Sequence, residues 1–318
     1  MNTAAGWAKR PESRTGVRKQ RNRIARRLFS ISAGFIFLVL FAIVTMLVQR
    51  SLPLWQNVSL PDFLTGRVWK PDQGLFGLLP FILGTFWTTG LGIAFALPLS
   101  LFSAIYLAEY ARPLTRTVIK PVLDILAGIP SVIYGMWGVL VVVPVVQTTV
   151  APLFSRAFPG IGLFQSSNPT GFSILSAGIV LAIMIAPILI AIMYEILLAV
   201  PVGLREASMA VGASRWQTIK YIVLPKATSG LIAAMILGTS RALGETMAVL
   251  MVVGNVAALP RSLFDPAYPI PALIANNYGE MMSIPLYDSA LMAAALFLLL
   301  IVLSFNILSS LALRRMLQ

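Results

Sequence analysis

The sequence predicts an all-α fold, a polytopic transmembrane bundle of six helices. Three observations predict it. Hydrophobic residues make up 58% of the 318-residue chain and charged residues only 11%, with a mean hydropathy of +0.86, whereas soluble domains carry about a quarter of their residues as charges. Six stretches supply the ~20 mainly apolar residues that a helix needs to cross hydrocarbon. The segments between them alternate between strongly and weakly basic, as the loops of a multi-span protein do. Cys and His are both absent. That excludes disulfide frameworks, Cys/His zinc sites, thiol nucleophiles and imidazole bases, so neither a catalytic residue, a metal site nor a cofactor is predicted.

The chain opens on a basic tail, residues 1–27, with nine Lys and Arg. It reads as an irregular topology signal that touches anionic membrane lipid. Without interleaved aromatics it does not read as a nucleic-acid arm. The transmembrane domain, 28–318, follows. Its first span, Leu28–Val48, is uncharged and longer than the ~7–15 apolar residues of a signal peptide, so it stays in the membrane. The second, Leu78–Leu107, contains Pro98, which predicts a kink or an early exit. The others are Val122–Val146, Ile174–Leu198, Leu231–Val253 and Ala290–Leu313. With Met1 inside, 18 basic residues fall on cytoplasmic segments and five (Arg50, Arg67, Lys70, Arg156 and Arg261) on outer ones, which places both termini in the cytoplasm. The outer segments 49–77, 147–173 and 254–289 are rich in Pro, Gly and Asn and read as ordered turns or short interfacial pieces.

One cytoplasmic loop, 201–230, is long enough to carry structure. Glu206 to Val211 favours a short helix that Gly212 closes in the left-handed conformation. Ser214 and Gln217 fit a capping box opening a second helix. Trp216, Ile219 and Ile222/Val223 line one side of that helix, Thr218 lies away from it, and Pro225 ends it. An elbow with a small, nearly apolar tip is suited to docking in a groove on another protein. Glu206-Ala207, then Gly212, Ile222 and Leu224-Pro225, resembles the EAA loop of ABC-importer permeases. The resemblance implies that Glu206, Ala207, Gly212, Ile222, Leu224 and Pro225 couple the membrane domain to a separate ATP-hydrolysing subunit. No G-x-x-x-x-G-K-[ST] phosphate loop occurs in the chain, so ATP hydrolysis is expected in that partner.

Arg241 and Glu245 stand inside the fifth span. Counted from Leu231 at ~1.5 Å per residue, Arg241 lies about 15 Å in, near the bilayer midplane. Four residues apart, the two share a helical face with Ala234, Gly238, Gly244 and Ala248. Two roles fit: a buried ion pair that fixes helix packing, or a site where an anion meets the guanidinium, whose fork suits tetrahedral oxyanions. In the third span Pro130 and the glycines 128, 135 and 138 predict a kink at the same depth. Ser131 and Tyr134 there either line a pathway or bond back to their own helix. Glu109, Asp124 and Glu195 read as interfacial or capping groups, with Asp124 in the first turn of its helix.

IPSVIYGMWG at 129–138, LAIMIAP at 181–187 and SRALGETMAV at 240–249 resemble the inner-membrane permeases of high-affinity phosphate ABC importers, most like the C-type of the two subunits. The resemblance implies a type I importer permease in a bacterial inner membrane. It also implies pairing with a second homologous permease subunit, an ATP-binding cassette ATPase dimer and an extracytoplasmic phosphate-binding protein, and passage of inorganic phosphate by Arg241 and Glu245. The residues themselves leave other oxyanions, such as sulfate or molybdate, and an ATP-independent channel or carrier as alternatives.

Overall fold

In the computed structural model of the chain, residues 13–165, 168, 170–279 and 284–316 are described. Among the described residues, six helices are long and apolar enough to cross a membrane. The chain falls into two compact units, residues 1–49 and 50–318.

Helix α1 (Ser13–Trp55) starts in the first unit. It runs through the whole predicted span 28–48 with apolar residues on every face, the composition of a membrane helix. Residues 13–27 are helical instead of irregular. Their Arg, Lys and Gln are good helix formers that outweigh the single Gly16. Residues 1–12, with Lys9 and Arg10, lie outside the described residues.

In the second unit, α2 (Leu60–Thr65) is opened by Ser59, whose hydroxyl accepts from the Asp62 N–H. A two-residue antiparallel ladder follows, β1 (Trp69–Lys70) with β2 (Leu75–Phe76), with Trp69 opposite Phe76. Then come α3 (Leu79–Tyr110), α4 (Pro113–Gly128), α5 (Ser131–Ala157) and α6 (Ile174–Leu198). The chain continues with α7 (Val202–Ala210), α8 (Arg215–Leu243), α9 (Met247–Val252), α10 (Ile270–Asn277) and α11 (Tyr287–Met316).

Helix α6 is the core of this unit. Leu181, Ile185, Leu189, Met193 and Leu197, four apart, are at most 1% exposed, and α3, α4, α8 and α9 all pack on it. A helix that is apolar on every side belongs in the interior. A second cluster joins the end of α1 (Leu54) to Phe63, Phe76, Phe81, Leu273 and Tyr287. Trp69 sits edge-on to Phe81 at 5.0 Å between ring centres. This aromatic cap covers the connections at one end of the spans. Segment 49–77 is thus an ordered piece, as its turn residues predict.

Three spans differ from the sequence reading. Pro98 lies inside α3, which neither breaks nor exits there. Segment 122–146 is not one helix: α4 ends at Gly128, Ile129 is extended, and Pro130 precedes α5. A proline suits the entry of a helix and biases the residue before it away from helical angles, so Pro130 opens the third span instead of kinking it. Asp124 consequently lies toward the C-terminal end of α4 and not in a first turn. The fifth span begins far earlier than Leu231, at Arg215, and stops at Leu243. Pro225 does not end a helix there. A widened π turn at Ile219–Val223 precedes it, and the altered hydrogen-bond register accommodates a residue without an N–H.

Candidate functional site: two helix breaks and an elbow

The unwound residues Gly244–Thr246 separate α8 from α9. Arg241 is in the last turn of α8 and exposed, whereas Glu245 is half-buried in the break. No Arg241–Glu245 ion pair forms, because the helix that would hold them four apart on one face ends between them. Among the described residues the Arg241 side chain makes neither a hydrogen bond nor an ion pair. Glu245 instead turns to the start of α9, where its Oε1 accepts from the Ala248 N–H at 3.4 Å. This is the position at which a carboxylate meets the free donors of a helix N-terminus. Three of the four small residues predicted to share that face serve packing. Ala234, Gly238 and Ala248 are buried, and a Cβ on Gly238 would meet Leu189 Cδ2 at 2.7 Å.

The start of α5 packs directly on α9. At Gly135 a Cβ would stand 2.8 Å from Met251 Sδ and 3.1 Å from Ala248 Cα, so this glycine sets how closely the two helices approach. The break before α5 and the break before α9 therefore lead into one packed pair. Tyr134 is buried and its hydroxyl donates to the Leu126 carbonyl at 2.8 Å. It spans the Ile129–Pro130 break and adds a second donor to a carbonyl that also accepts from the Ile129 N–H at 3.3 Å. Ser131, in the first turn of α5, is half-buried, and its hydroxyl makes no hydrogen bond among the described residues. Unwound backbone at membrane depth occurs where protein or a water-filled path satisfies it. An exposed guanidinium beside such a break is suited to receive an anion.

The elbow forms as the loop chemistry predicts. Gly212 has φ +88°, in the left-handed region, and a Cβ there would meet nothing within 4 Å. Ser214 and Gln217 make both bonds of the capping box. Val211 at the tip is 85% exposed. Glu206, Ala207 and Pro225 are exposed, and Ile222 and Leu224 are half-buried. The buried side of the second helix is Thr218, Ile219 and Val223, while Trp216 is 53% exposed. Thr218 turns inward because its hydroxyl bonds Ser208 of α7 at 2.9 Å, a strut between the two arms that apolar periodicity does not reveal.

Sequence reading missed the attachment of this elbow. Arg205, in α7, donates from Nε and Nη2 to Glu109 Oε1 at 3.2 and 3.0 Å, and from Nη2 to the Leu197 carbonyl at 2.7 Å. Its Nη1 donates to the Val200 carbonyl. Arg215 stacks over the Tyr110 ring, 5.7 Å from its centre. Glu195 pairs with Lys120 of α4 at 2.6 Å. The partners lie 96 and 75 positions apart, beyond any local signal.

A family model described as "Binding-protein-dependent transport system inner membrane component" matches residues 96–318. The phosphate transport system permease protein PstC of Haemophilus influenzae is 37% identical over 292 residues, 90% of this chain and 92% of its own. That of Mesorhizobium japonicum is 38% identical over 304 residues, 91% of this chain and 92% of its own. Among solved structures, a bacterial alginate ABC transporter in complex with an alginate pentasaccharide-bound periplasmic protein matches in fold. Its TM-score is 0.63 at 18% identity, covering 93% of this chain and 97% of that one. The chain belongs to the family of binding-protein-dependent transport system inner membrane components.

Proposed function

We propose that the chain is the membrane-spanning permease subunit of an ATP-driven importer of inorganic phosphate, with both termini in the cytoplasm. The observation that carries this reading is the 37% identity to a phosphate permease along 90% of the chain. The proposed partners are a second homologous permease subunit, an ATP-binding cassette ATPase dimer that receives the Val202–Pro225 elbow, and an extracytoplasmic phosphate-binding protein. Anionic lipid faces the basic stretch at Arg23, Arg26 and Arg27.

In this reading ATP-driven closure of the two ATPases displaces the Gly212 tip, and the displacement reaches the spans through the elbow. Phosphate passes the α8–α9 break, where Arg241 supplies a planar fork of donors to its oxygens. Glu245, Ser131 and Tyr134 lie along the same pathway. An exposed arginine within a span is costly against lipid, about 2.5–3.5 kcal/mol on insertion scales. The Arg241 face is accordingly covered by the second permease or opens on the water-filled path. The test is co-purification of the assembled complex followed by uptake of labelled phosphate into proteoliposomes, with sulfate and molybdate as competitors. Uptake that requires ATP and that only phosphate competes supports the reading. Uptake without an ATPase, or competition by sulfate or molybdate, overturns it.

A further inference from the structure

We propose that Arg205 is a positioning residue that clamps the elbow to the ends of α3 and α6, so that the three move as one body when the tip is displaced. The inference rests on the importer reading for what drives the motion, and on geometry for the clamp itself.

Three observations converge on it. The ion pair with Glu109 is largely withdrawn from water, with side chains 13% and 9% exposed, unlike the Lys120–Glu195 pair at 59% and 56%. All three guanidinium nitrogens are committed, to a carboxylate on α3 and to two carbonyls, Leu197 in the last turn of α6 and Val200 just beyond it. The Leu197 carbonyl, which also accepts from the Val200 N–H at 3.3 Å, thereby gains a second donor, and a cation there meets the negative end of the helix dipole. The other arm of the elbow reaches the same place, with Arg215 over Tyr110, the neighbour of Glu109, and the Ser208–Thr218 bond ties the arms together. Glu109 and Tyr110 belong to a widened π turn, Tyr106–Tyr110, a local departure often found at functional points. Both arms thus grip the end of α3, while α6, the buried core helix, is gripped through its last carbonyls. A tip displacement is then delivered to the centre of the unit instead of being absorbed by the connection at 199–201.

The test uses the complete transporter in proteoliposomes with phosphate, binding protein and MgATP. Arg205→Lys keeps the charge but replaces the planar fork with a single ammonium, which cannot hold the carboxylate and both carbonyls in this geometry. The expected result is an assembled complex that still hydrolyses ATP but moves about tenfold less phosphate per ATP, within the range of mutations that alter coupling between sites. Glu109→Gln, nearly isosteric, is expected to act in the same direction. A merely structural ion pair would lower assembly, hydrolysis and uptake together and leave the ratio intact; that result overturns the proposal. Spin labels at the exposed Val202 and Arg112 provide a reading that needs no phosphate. Their separation in the otherwise native complex is expected to stay constant between the nucleotide-free and MgATP states and to change in Arg205→Lys. A separation that changes in the native complex overturns the clamp, even where both variants fail to assemble. If the native complex moves no phosphate while the separation stays constant, the substrate reading has failed and the clamp has not.

Discussion

Arg241 carries its charge in the last turn of α8 with no side-chain partner among the described residues, and this decides what its removal should do. Had it existed to balance Glu245, replacing both by Leu would restore a well-packed helix. Instead Glu245 is engaged with the Ala248 N–H. Arg241→Leu is therefore expected to insert at least as well as the native chain and to lower phosphate uptake. The loss is about 2 kcal/mol, roughly 30-fold, the worth of a hydrogen bond to a charged group. Arg241→Leu with Glu245→Leu should transport no better than the single variant; near-native uptake in the double variant would return the two to a scaffolding role. Lys120 shows a second residue-level consequence. The hydrogen bond and charge of Glu195 hold its ammonium above the ordinary value. A raised ammonium favours the folded state fully below its unfolded value, and that contribution is lost as pH rises through the folded one. Acylation of Lys120 by an amine reagent should stay slow into strongly alkaline solution and speed up in Glu195→Gln. Equal rates in the two proteins would remove Glu195 as the cause.

At the level of elements, the elbow was legible and the helix breaks were only half so. Gly212, Ser214 and Gln217 act through bonds within a few residues, and such chemistry survives whatever surrounds it. Pro130 also marked irregularity, whereas the break at Gly244–Thr246 lay inside a span read as continuous; whether a proline kinks, opens or sits within a helix is settled by packing. Pro98 and Pro225 lie inside helices, while Pro130 stands before one. The Arg205–Glu109 clamp had no local signal at all. The elbow makes a prediction that separates backbone strain from docking. A side chain at φ +88° is strained by about 1–2 kcal/mol, and Asn and Asp tolerate that region similarly. Gly212→Asn should then keep most of the ATPase attachment while Gly212→Asp loses it, since only the latter brings a charge into a partner groove. Equal co-purification of the ATPase with both variants would remove the tip from the interface. The α5–α9 contact yields another. Gly135→Val must push Met251 and the Ala248 backbone away, and overpacking of this kind costs about 1–3 kcal/mol. A lower Tm of the detergent-solubilised chain checks it; an unchanged Tm would mean that α5 and α9 do not meet at Gly135.

Across the whole molecule, the six spans were readable because about 20 apolar residues in a row leave little alternative to a membrane helix, and α6 coincides with its predicted limits, Ile174–Leu198. Where spans begin was less readable, since polar or basic residues extend helices past the hydrocarbon, as at Ser13 and Arg215. Orientation is a separate property, set by the distribution of charge over the connections and not by packing. Eighteen basic residues on one set of segments against five on the other are the ground on which we propose a cytoplasmic elbow and an external β1–β2 hairpin. The chain has no cysteine, so single cysteines report their surroundings without background. Val202 at the start of the elbow is 62% exposed, and Val68 beside the hairpin is 49% exposed. In intact cells an impermeant maleimide should label Val68→Cys and leave Val202→Cys untouched until the membrane is opened. The two sites lie in the same compact unit, with the α3, α5 and α6 spans between them in sequence. An odd number of crossings puts them on opposite sides whichever way the chain is inserted. Labelling of both from outside would therefore contradict the span count, whereas the reverse pattern, with Val202→Cys labelled and Val68→Cys protected, would keep the spans and invert the chain.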